Sequence, residues 1–170
     1  MTDERHRRAG RAIVRSAEGR VLMMRGEDPG DLARGGFWFT PGGGLDDGES
    51  VEEGVRRELV EETGLAVTIL GPVVLRRRDR FAMLGEIWLQ EETIHLVEVD
   101  AVFEPVTAGF EAVEASVVTD FRWFSTAELR ALDEISYPRC LADLLDEIDA
   151  AGPPSDPWFE DLTEPEPLGG

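Results

Sequence analysis

The chain has 170 residues, enough for one domain of ordinary size with a full hydrophobic core. All 17 basic residues are arginine, which excludes Schiff-base chemistry and a P-loop lysine. The formal net charge of −19 argues against non-specific binding to nucleic acid, which depends on a cationic surface.

The amino terminus, residues 1–7, is charged and is predicted to be flexible. It has no apolar signal-peptide core, and no later apolar run reaches the length of a membrane span. The single cysteine, Cys140, excludes an internal disulfide and fits a reducing compartment. We therefore predict a cytoplasmic protein with no membrane partner. Residues 8–15 and 20–25 are predicted as two strands around a turn at 17–19.

The stretch from Gly43 to Leu65 begins at a glycine-rich loop and continues as a helix. Ser50 has the character of an N-cap, and Gly64 that of the residue that ends a helix. Three glutamates stand at i, i+3 and i+4, so their carboxylates share one narrow sector of the helix: Glu58, Glu61 and Glu62. Like charges about 5 Å apart repel by roughly 3 kcal/mol per pair at an effective dielectric constant near 20. A hard divalent cation would offset this repulsion.

A glutamate-rich helix face is often merely solvated, and this remains the alternative. An apolar stripe of Val51, Val55 and Leu59 lies beside the acidic sector, however, rather than opposite it. This pattern favours carboxylates that line a cleft at the edge of the core. Arg57 is four residues before Glu61 and can orient a carboxylate through paired hydrogen bonds.

The same stretch resembles the Nudix box, G-x5-E-x7-R-E-U-x-E-E-x-G-U, where U is aliphatic. Its fixed positions are all met, by Gly43, Glu49, Arg57, Glu58, Leu59, Glu61, Glu62, Gly64 and Leu65. The resemblance implies an α/β fold, a Nudix-type α/β/α sandwich around a mixed sheet, over residues 8–151. It also implies a metal-dependent hydrolase that cleaves the diphosphate linkage of a small nucleotide substrate, either a nucleoside diphosphate derivative or a nucleoside triphosphate.

The resemblance to the Nudix box also implies which residues bind the metal ion and the substrate. Glu58, Glu61 and Glu62 are expected to bind Mg²⁺, with Mn²⁺ as an alternative. Arg57 and Glu49 would fix the geometry of these ligands. The loop residues Gly43 and Gly44 would let the backbone approach the pyrophosphate closely.

Three arginines are candidates for substrate binding. Arg25 comes just before the loop 26–36, and Arg34 lies in it. In Nudix domains, which this chain resembles, that loop leads to the phosphate-facing side. Arg80 belongs to the basic cluster at 76–80, which is predicted either to bind phosphate or to form a hairpin turn. Solvated arginines are the alternative for Arg25 and Arg34. Whether the protein forms a homodimer is left open.

A further glutamate from a loop before a late strand often serves Nudix enzymes as an extra ligand or general base. Glu111 and Glu114 precede the predicted strand at 121–124. We choose Glu114, because similar sequences place such a glutamate eight residues before the pair Arg122-Trp123. A solvent-facing loop acid is the alternative.

Between the box and the late strand, residues 66–75 are predicted as a strand, and 81–90 and 94–103 as a pair of strands. A helix is predicted from Arg139 to about Ala150. Residues 152–170 form an acidic, proline-rich tail, either disordered or held in place by Trp158 and Phe159. Four aromatic residues are candidates for stacking on a base, with core packing as the alternative: Phe37, Trp38, Phe81 and Trp123.

Residues that mark substrate classes in Nudix enzymes are not met beyond the box, so the nucleotide derivative is left open. A catalytically inactive Nudix-fold nucleotide sensor is the second hypothesis. Release of phosphate or nucleoside monophosphate would separate it from a hydrolase.

Overall fold

The computed structural model describes residues 4–107, 109 and 117–164. In these residues, nine strands form one mixed sheet: β1 (Glu4–Ser16), β2 (Val21–Gly26), β3 (Phe37–Phe39), β4 (Gly42–Gly44), β5 (Val73–Met83), β6 (Glu86–Val99), β7 (Val118–Phe124), β8 (Ile135–Tyr137) and β9 (Trp158–Leu162). The main path runs β8-β3-β2-β1-β6-β5-β9, while β4 pairs with β1 and β7 with β2. The parallel pairing of β1 with β6 over thirteen residues is the longest in the sheet.

The helices are α1 (Val51–Thr63), α2 (Thr126–Arg130) and α3 (Leu141–Ala151), and a short 3-10 turn covers Leu32–Arg34. Helix α1 begins at a capping box, in which Ser50 and Glu53 bond each other's backbone amides. It ends at Gly64, whose φ of 75° is left-handed. Both ends of the box helix are therefore confirmed. None of the helices in the described ranges has the length and apolar character needed to cross a bilayer.

The two faces of the sheet each carry a hydrophobic layer, because successive residues of a strand point to opposite sides. On one face, Ile13 of β1 packs in a cluster with Leu144 and Leu145 of α3. On the other face, Ala12 and Val14 of β1 belong to the cluster around Val55 and Leu59 of α1. The predicted α/β sandwich around a mixed sheet is confirmed.

The strands after α1 differ from the prediction. Residues 66–72 lie outside the strands, and β5 runs from Val73 through the basic cluster to Met83. The hairpin to β6 turns at Leu84 and Gly85, with φ values of 53° and 79°. Positive φ at both central residues is the type I′ pattern, and leucine is a rare residue there. The predicted strand pair at 81–90 and 94–103, and the hairpin turn at 76–80, are therefore wrong.

Both chain ends contribute strands. Strand β1 begins at Glu4, four residues before the predicted start, and pairs with β6 from Ile87 onward. Strand β9 lies in the predicted tail and pairs in parallel with β5. Trp158 packs against the core beside α3, whereas the side chain of Phe159 is exposed. Of the two aromatic residues considered, only Trp158 anchors the tail.

Candidate active site

The glycine-rich strand β4 lies directly against the box helix. It pairs with β1 at Ala9, Gly10 and Arg11. A Cβ added to Gly43 would lie 2.5 Å from Oε1 of Glu58, and the backbone of Gly42 has a φ of 131°. Any larger side chain at Gly43 would therefore displace a carboxylate of the box, and only glycine adopts the backbone of Gly42 readily.

The three clustered glutamates of α1 have unequal environments. Glu58 and Glu62 are buried, and Glu61 is partly exposed. The backbone amide of Gly42 donates to Oε2 of Glu62 at 2.7 Å, which links the helix to the glycine strand. These carboxylates lie at the edge of the core, as the apolar stripe predicted.

Arg57 joins four groups of the site. Its Nε and Nη2 donate to the two carboxylate oxygens of Glu49 at 2.8 and 2.9 Å. Its Nη1 donates to Glu58 at 3.0 Å and to Glu61 at 3.2 Å, and Nη2 also donates to the carbonyl of Gly44 at 3.1 Å. The bidentate bond from Arg57 lowers the pKa of Glu49 to about 2. Glu49 in turn raises the pKa of Arg57, so both groups stay charged.

The chemistry of this donor set fits a hard divalent cation, because carboxylate oxygens are the ligands that Mg²⁺ takes. In the structure, Glu58 and Glu61 both accept hydrogen bonds from Arg57. Across residues 4–107, 109 and 117–164, no three acidic, histidine or cysteine side chains converge closely enough to hold a metal ion. The three candidate metal-binding carboxylates therefore lie on one helix, and Arg57 orients two of them, but they do not surround a common point.

A cavity of about 300 Å³ opens beside β4. Gly42, Gly43, Gly44 and Glu62 form the part of its wall that belongs to the box region. Aromatic side chains from four strands also line it: Phe37, Phe39, Phe81, Trp88 and Tyr137. Two of the four aromatic candidates, Phe37 and Phe81, thus face the cavity. Trp38 and Trp123 instead pack edge-on against Phe124 and Phe103.

A buried polar network forms one wall of the cavity. Glu92 accepts hydrogen bonds from Arg11 at 2.6 Å and from Arg77 at 2.7 Å. Burial alone would raise the pKa of Glu92, but the two arginines outweigh it and lower the pKa to about 2. Arg11 also donates to the carbonyls of Thr40 and Gly42, both at 2.9 Å, and thereby connects this wall to the glycine strand.

Arg77 is the centre of the network, with each nitrogen of its guanidinium bonded to a different carboxylate. Nε donates to Glu160 at 3.1 Å, and Nη2 donates to Asp79 at 2.8 Å. Burial opposes the charge of Arg77, yet the surrounding carboxylates raise its pKa. Burial raises the pKa of Asp79. Glu160 comes from β9, so the carboxy-terminal strand supports the cavity wall.

The three predicted substrate arginines have different surroundings. Arg34 lines the cavity, and its Nη1 donates to the carbonyl of Ala82 at 3.2 Å. Arg25 lies outside the cavity lining and is bonded to Glu134 and Glu27, which raise its pKa.

Arg80 is bonded to Glu4 at 2.6 Å and points away from the cavity. Because side chains alternate along a strand, Arg77 and Asp79 face the cavity and Arg80 cannot. Arg80 and Arg25 therefore both lie outside this cavity, each bonded to an acidic partner, and their contact with a substrate stays a prediction. The predicted base Glu114, like its alternative Glu111, lies outside the described residues.

Comparison with known proteins identifies the family. A profile described as the NUDIX domain matches residues 5–144. The chain belongs to the Nudix family. It is 33% identical over 78 residues to an RNA pyrophosphohydrolase of Novosphingobium aromaticivorans, over 43% of this chain and 47% of that protein. It is 27% identical over 117 residues to a putative 8-oxo-dGTP diphosphatase of Bacillus subtilis, over 69% of this chain and 65% of that protein.

Among solved structures, the MutT NUDIX hydrolase from Burkholderia pseudomallei aligns with a TM-score of 0.60 at 25% identity. The alignment covers 85% of this chain and 98% of that one. The family match ends at residue 144, so strand β9 and its Glu160 lie beyond the matched region.

Proposed function

We propose that the protein is a metal-dependent hydrolase that cleaves the diphosphate linkage of a nucleoside triphosphate or of another nucleoside diphosphate derivative, by attack of water on phosphorus. One observation carries the proposal: the box carboxylates lie against a glycine strand at the edge of an aromatic-lined cavity. The relatives named above, a pyrophosphohydrolase and a diphosphatase, support a reaction at phosphorus anhydrides.

Phosphoryl transfer requires that charge on the non-bridging oxygens be neutralised and that water be held in line. A bound Mg²⁺ would supply a Lewis acid and lower the pKa of a coordinated water. Glu58, Glu61 and Glu62 would hold it. Arg57, fixed by its bidentate bond to Glu49, keeps the carboxylates of Glu58 and Glu61 in place on the helix.

The planar part of the substrate fits the aromatic part of the cavity. The rings of Phe81 and Trp88 line it together with Phe37 and Phe39. Base–aromatic stacking contributes about 1–3 kcal/mol per base. The partner is thus a small nucleotide, with its phosphates directed toward the glycine strand and its base toward the rings.

The general base is proposed to be Glu114. A base must come within hydrogen-bond distance of the attacking water, directly or through a second water. If neither Glu114 nor Glu111 serves, Glu58 or Glu61 of the box becomes the candidate.

The test is a panel of nucleotide derivatives incubated with Mg²⁺ or Mn²⁺, with release of phosphate, pyrophosphate or nucleoside monophosphate as the readout. Reaction in ¹⁸O-labelled water should place the label on a phosphate product if water attacks phosphorus. Glu61→Gln is the matched control, because it removes a ligand charge and preserves shape. Nucleotide binding without product, across the whole panel, would instead support an inactive Nudix-fold sensor.

A further inference from the structure

The face of the sheet opposite the cavity carries a row of cations. The basic cluster at 76–80 divides between two faces, since Arg77 and Asp79 line the cavity and Arg76 and Arg78 point outward. Cross-strand register places Arg76 beside Phe159 of β9, and Arg78 beside Glu91 of β6. Arg8 of β1 pairs with Glu91 from the other side. These side chains thus form one surface across four strands, which we call the outer arginine surface.

Two of its arginines have no acidic partner among the residues that the structure describes. Arg8 and Arg76 are exposed, and the side chain of neither forms a hydrogen bond or ion pair with any residue that the structure describes. Arg78 is 3.7 Å from Glu91, and its buried Nε makes no hydrogen bond within the described part of the chain. In a chain with 36 acidic residues and 17 arginines, unpaired neighbouring arginines are unexpected. Their repulsion favours an anion between them.

The surface is concave rather than flat. Arg8, Arg76 and Arg78 line a cavity of about 610 Å³, which also borders the first residues of α1. His95 lines it as well and is 5% exposed; its Nδ1 lies 2.8 Å from the carbonyl of Gly71. The Nε2 of His95 is buried and has no hydrogen-bond partner among the described residues. A buried polar atom without a partner is costly, which is a second sign that a ligand belongs nearby.

An aromatic ring completes the arrangement. Phe159 is 63% exposed, beside Arg76, although its neighbour Trp158 is packed against the core. An exposed aromatic side chain next to arginines is the combination that binds nucleotides, through stacking on the base and charge on the phosphate. Glu52, Glu91 and Glu92 also line this cavity and limit its net positive charge, which favours a single nucleotide over a long polyanion.

We propose that the outer arginine surface is a second binding site, for a nucleoside phosphate, separate from the catalytic cavity. Arg8 and Arg76 contact the phosphate, and Phe159 stacks on the base. The same chemistry is presented by a free nucleotide and by the 5′ end of an oligonucleotide. The site lies on the opposite face of the sheet from the cavity, with Arg77 and Glu92 bordering both, and it does not depend on the proposed hydrolysis.

The experiment titrates the ¹⁵N-labelled full chain with ADP, and separately with a 5′-phosphorylated RNA pentamer, in EDTA so that no turnover occurs. We expect saturable amide shifts in β5 and β9, in addition to any shifts around the cavity. The double variant Arg8→Gln/Arg76→Gln should weaken the Kd at this site by tenfold or more. Phe159→Ala should weaken it by roughly tenfold, the usual contribution of one stacked base.

The matched control is Arg122→Gln/Arg130→Gln, which removes two exposed arginines near α2 that already have acidic partners. It should leave the Kd unchanged, and none of the variants should alter kcat or KM for a small substrate. Saturation by RNA alone would identify an oligonucleotide end as the ligand, and saturation by both would identify a free nucleotide. Absence of saturable shifts in β5 and β9, or equal weakening in the control, would overturn the proposal.

Discussion

Glu92 offers a direct measure of the buried network that supports the cavity. It is fully enclosed between Arg11 and Arg77, and its pKa is about 2 rather than the ordinary 4.5. A difference of this size corresponds to about 3 kcal/mol of folding free energy at neutral pH. We expect Glu92→Gln to lower the free energy of unfolding by ~3 kcal/mol at pH 7, at the lower end for a broken buried ion pair. Arg11 and Arg77 each keep other acceptors in this variant, which limits the loss.

The pH dependence gives a second check. A carboxylate whose pKa is lowered by folding stabilises the protein above its unfolded pKa, and this contribution disappears as the pH falls through the folded value. For Glu92 the window runs from about 4.5 down to about 2. The difference between wild type and Glu92→Gln should therefore be full at pH 7 and fall to about 1 kcal/mol by pH 3.

The assay is urea unfolding at several pH values, followed by tryptophan fluorescence. Glu91→Gln is the control. Glu91 is the adjacent residue of β6, but it is exposed, and its ion pair with Arg78 is long, at 3.7 Å. It should change the free energy of unfolding by less than about 0.5 kcal/mol. If Glu92→Gln resembled the control, or if its deficit did not vary with pH, the argument for a charged, stabilising Glu92 would fail.

Four further predictions concern the site. Glu61→Gln should lower kcat by orders of magnitude while the melting temperature is kept, and steady-state kinetics beside thermal melts will show whether it does; wild-type turnover would remove Glu61 from the ligand set. Glu49→Gln should reduce activity or metal affinity by about 10- to 100-fold, because it frees Arg57 from its bidentate partner. Mg²⁺ at a hundred times its Kd should stabilise the fold by about 2.7 kcal/mol in thermal melts, reversibly with EDTA; melts indifferent to both would oppose a metal site. Glu114→Gln should lower kcat across a pH series and Glu111→Gln should not; the reverse result would place the base three residues earlier.

Local signals in the sequence were sufficient for the box helix. The capping box at Ser50 and the left-handed Gly64 depend on residues three or four positions apart, so the chain itself displays them. The nearness of Glu58 to Gly43 of the glycine strand is a tertiary contact that the structure adds. These features form the edge of the cavity that carries the box.

The opposite wall could not be predicted, because it depends on strand register. Glu92 and Arg11 are 81 residues apart and meet only through the pairing of β1 with β6. The sequence also left the 76–80 cluster open between phosphate binding and a hairpin turn, whereas the turn lies at Leu84 and Gly85 and the cluster is inside a strand. One available signal was a charged residue inside an apolar strand, as Arg11 is before Ala12-Ile13-Val14, which indicates a buried partner elsewhere.

The network also limits what the cavity can bind. All three kinds of nitrogen in Arg77 are bonded to carboxylates, and Arg11 is held by Glu92 and two carbonyls. Arginines bonded in this way have little remaining capacity for a phosphate, although they line the cavity. Under the proposed function, the charge of the diphosphate is therefore met at the glycine strand, by the metal on the box carboxylates, and by the two cavity-lining arginines outside this network, Arg7 and Arg34. The opposite wall, with its balanced charges and aromatic rings, is suited to the uncharged base.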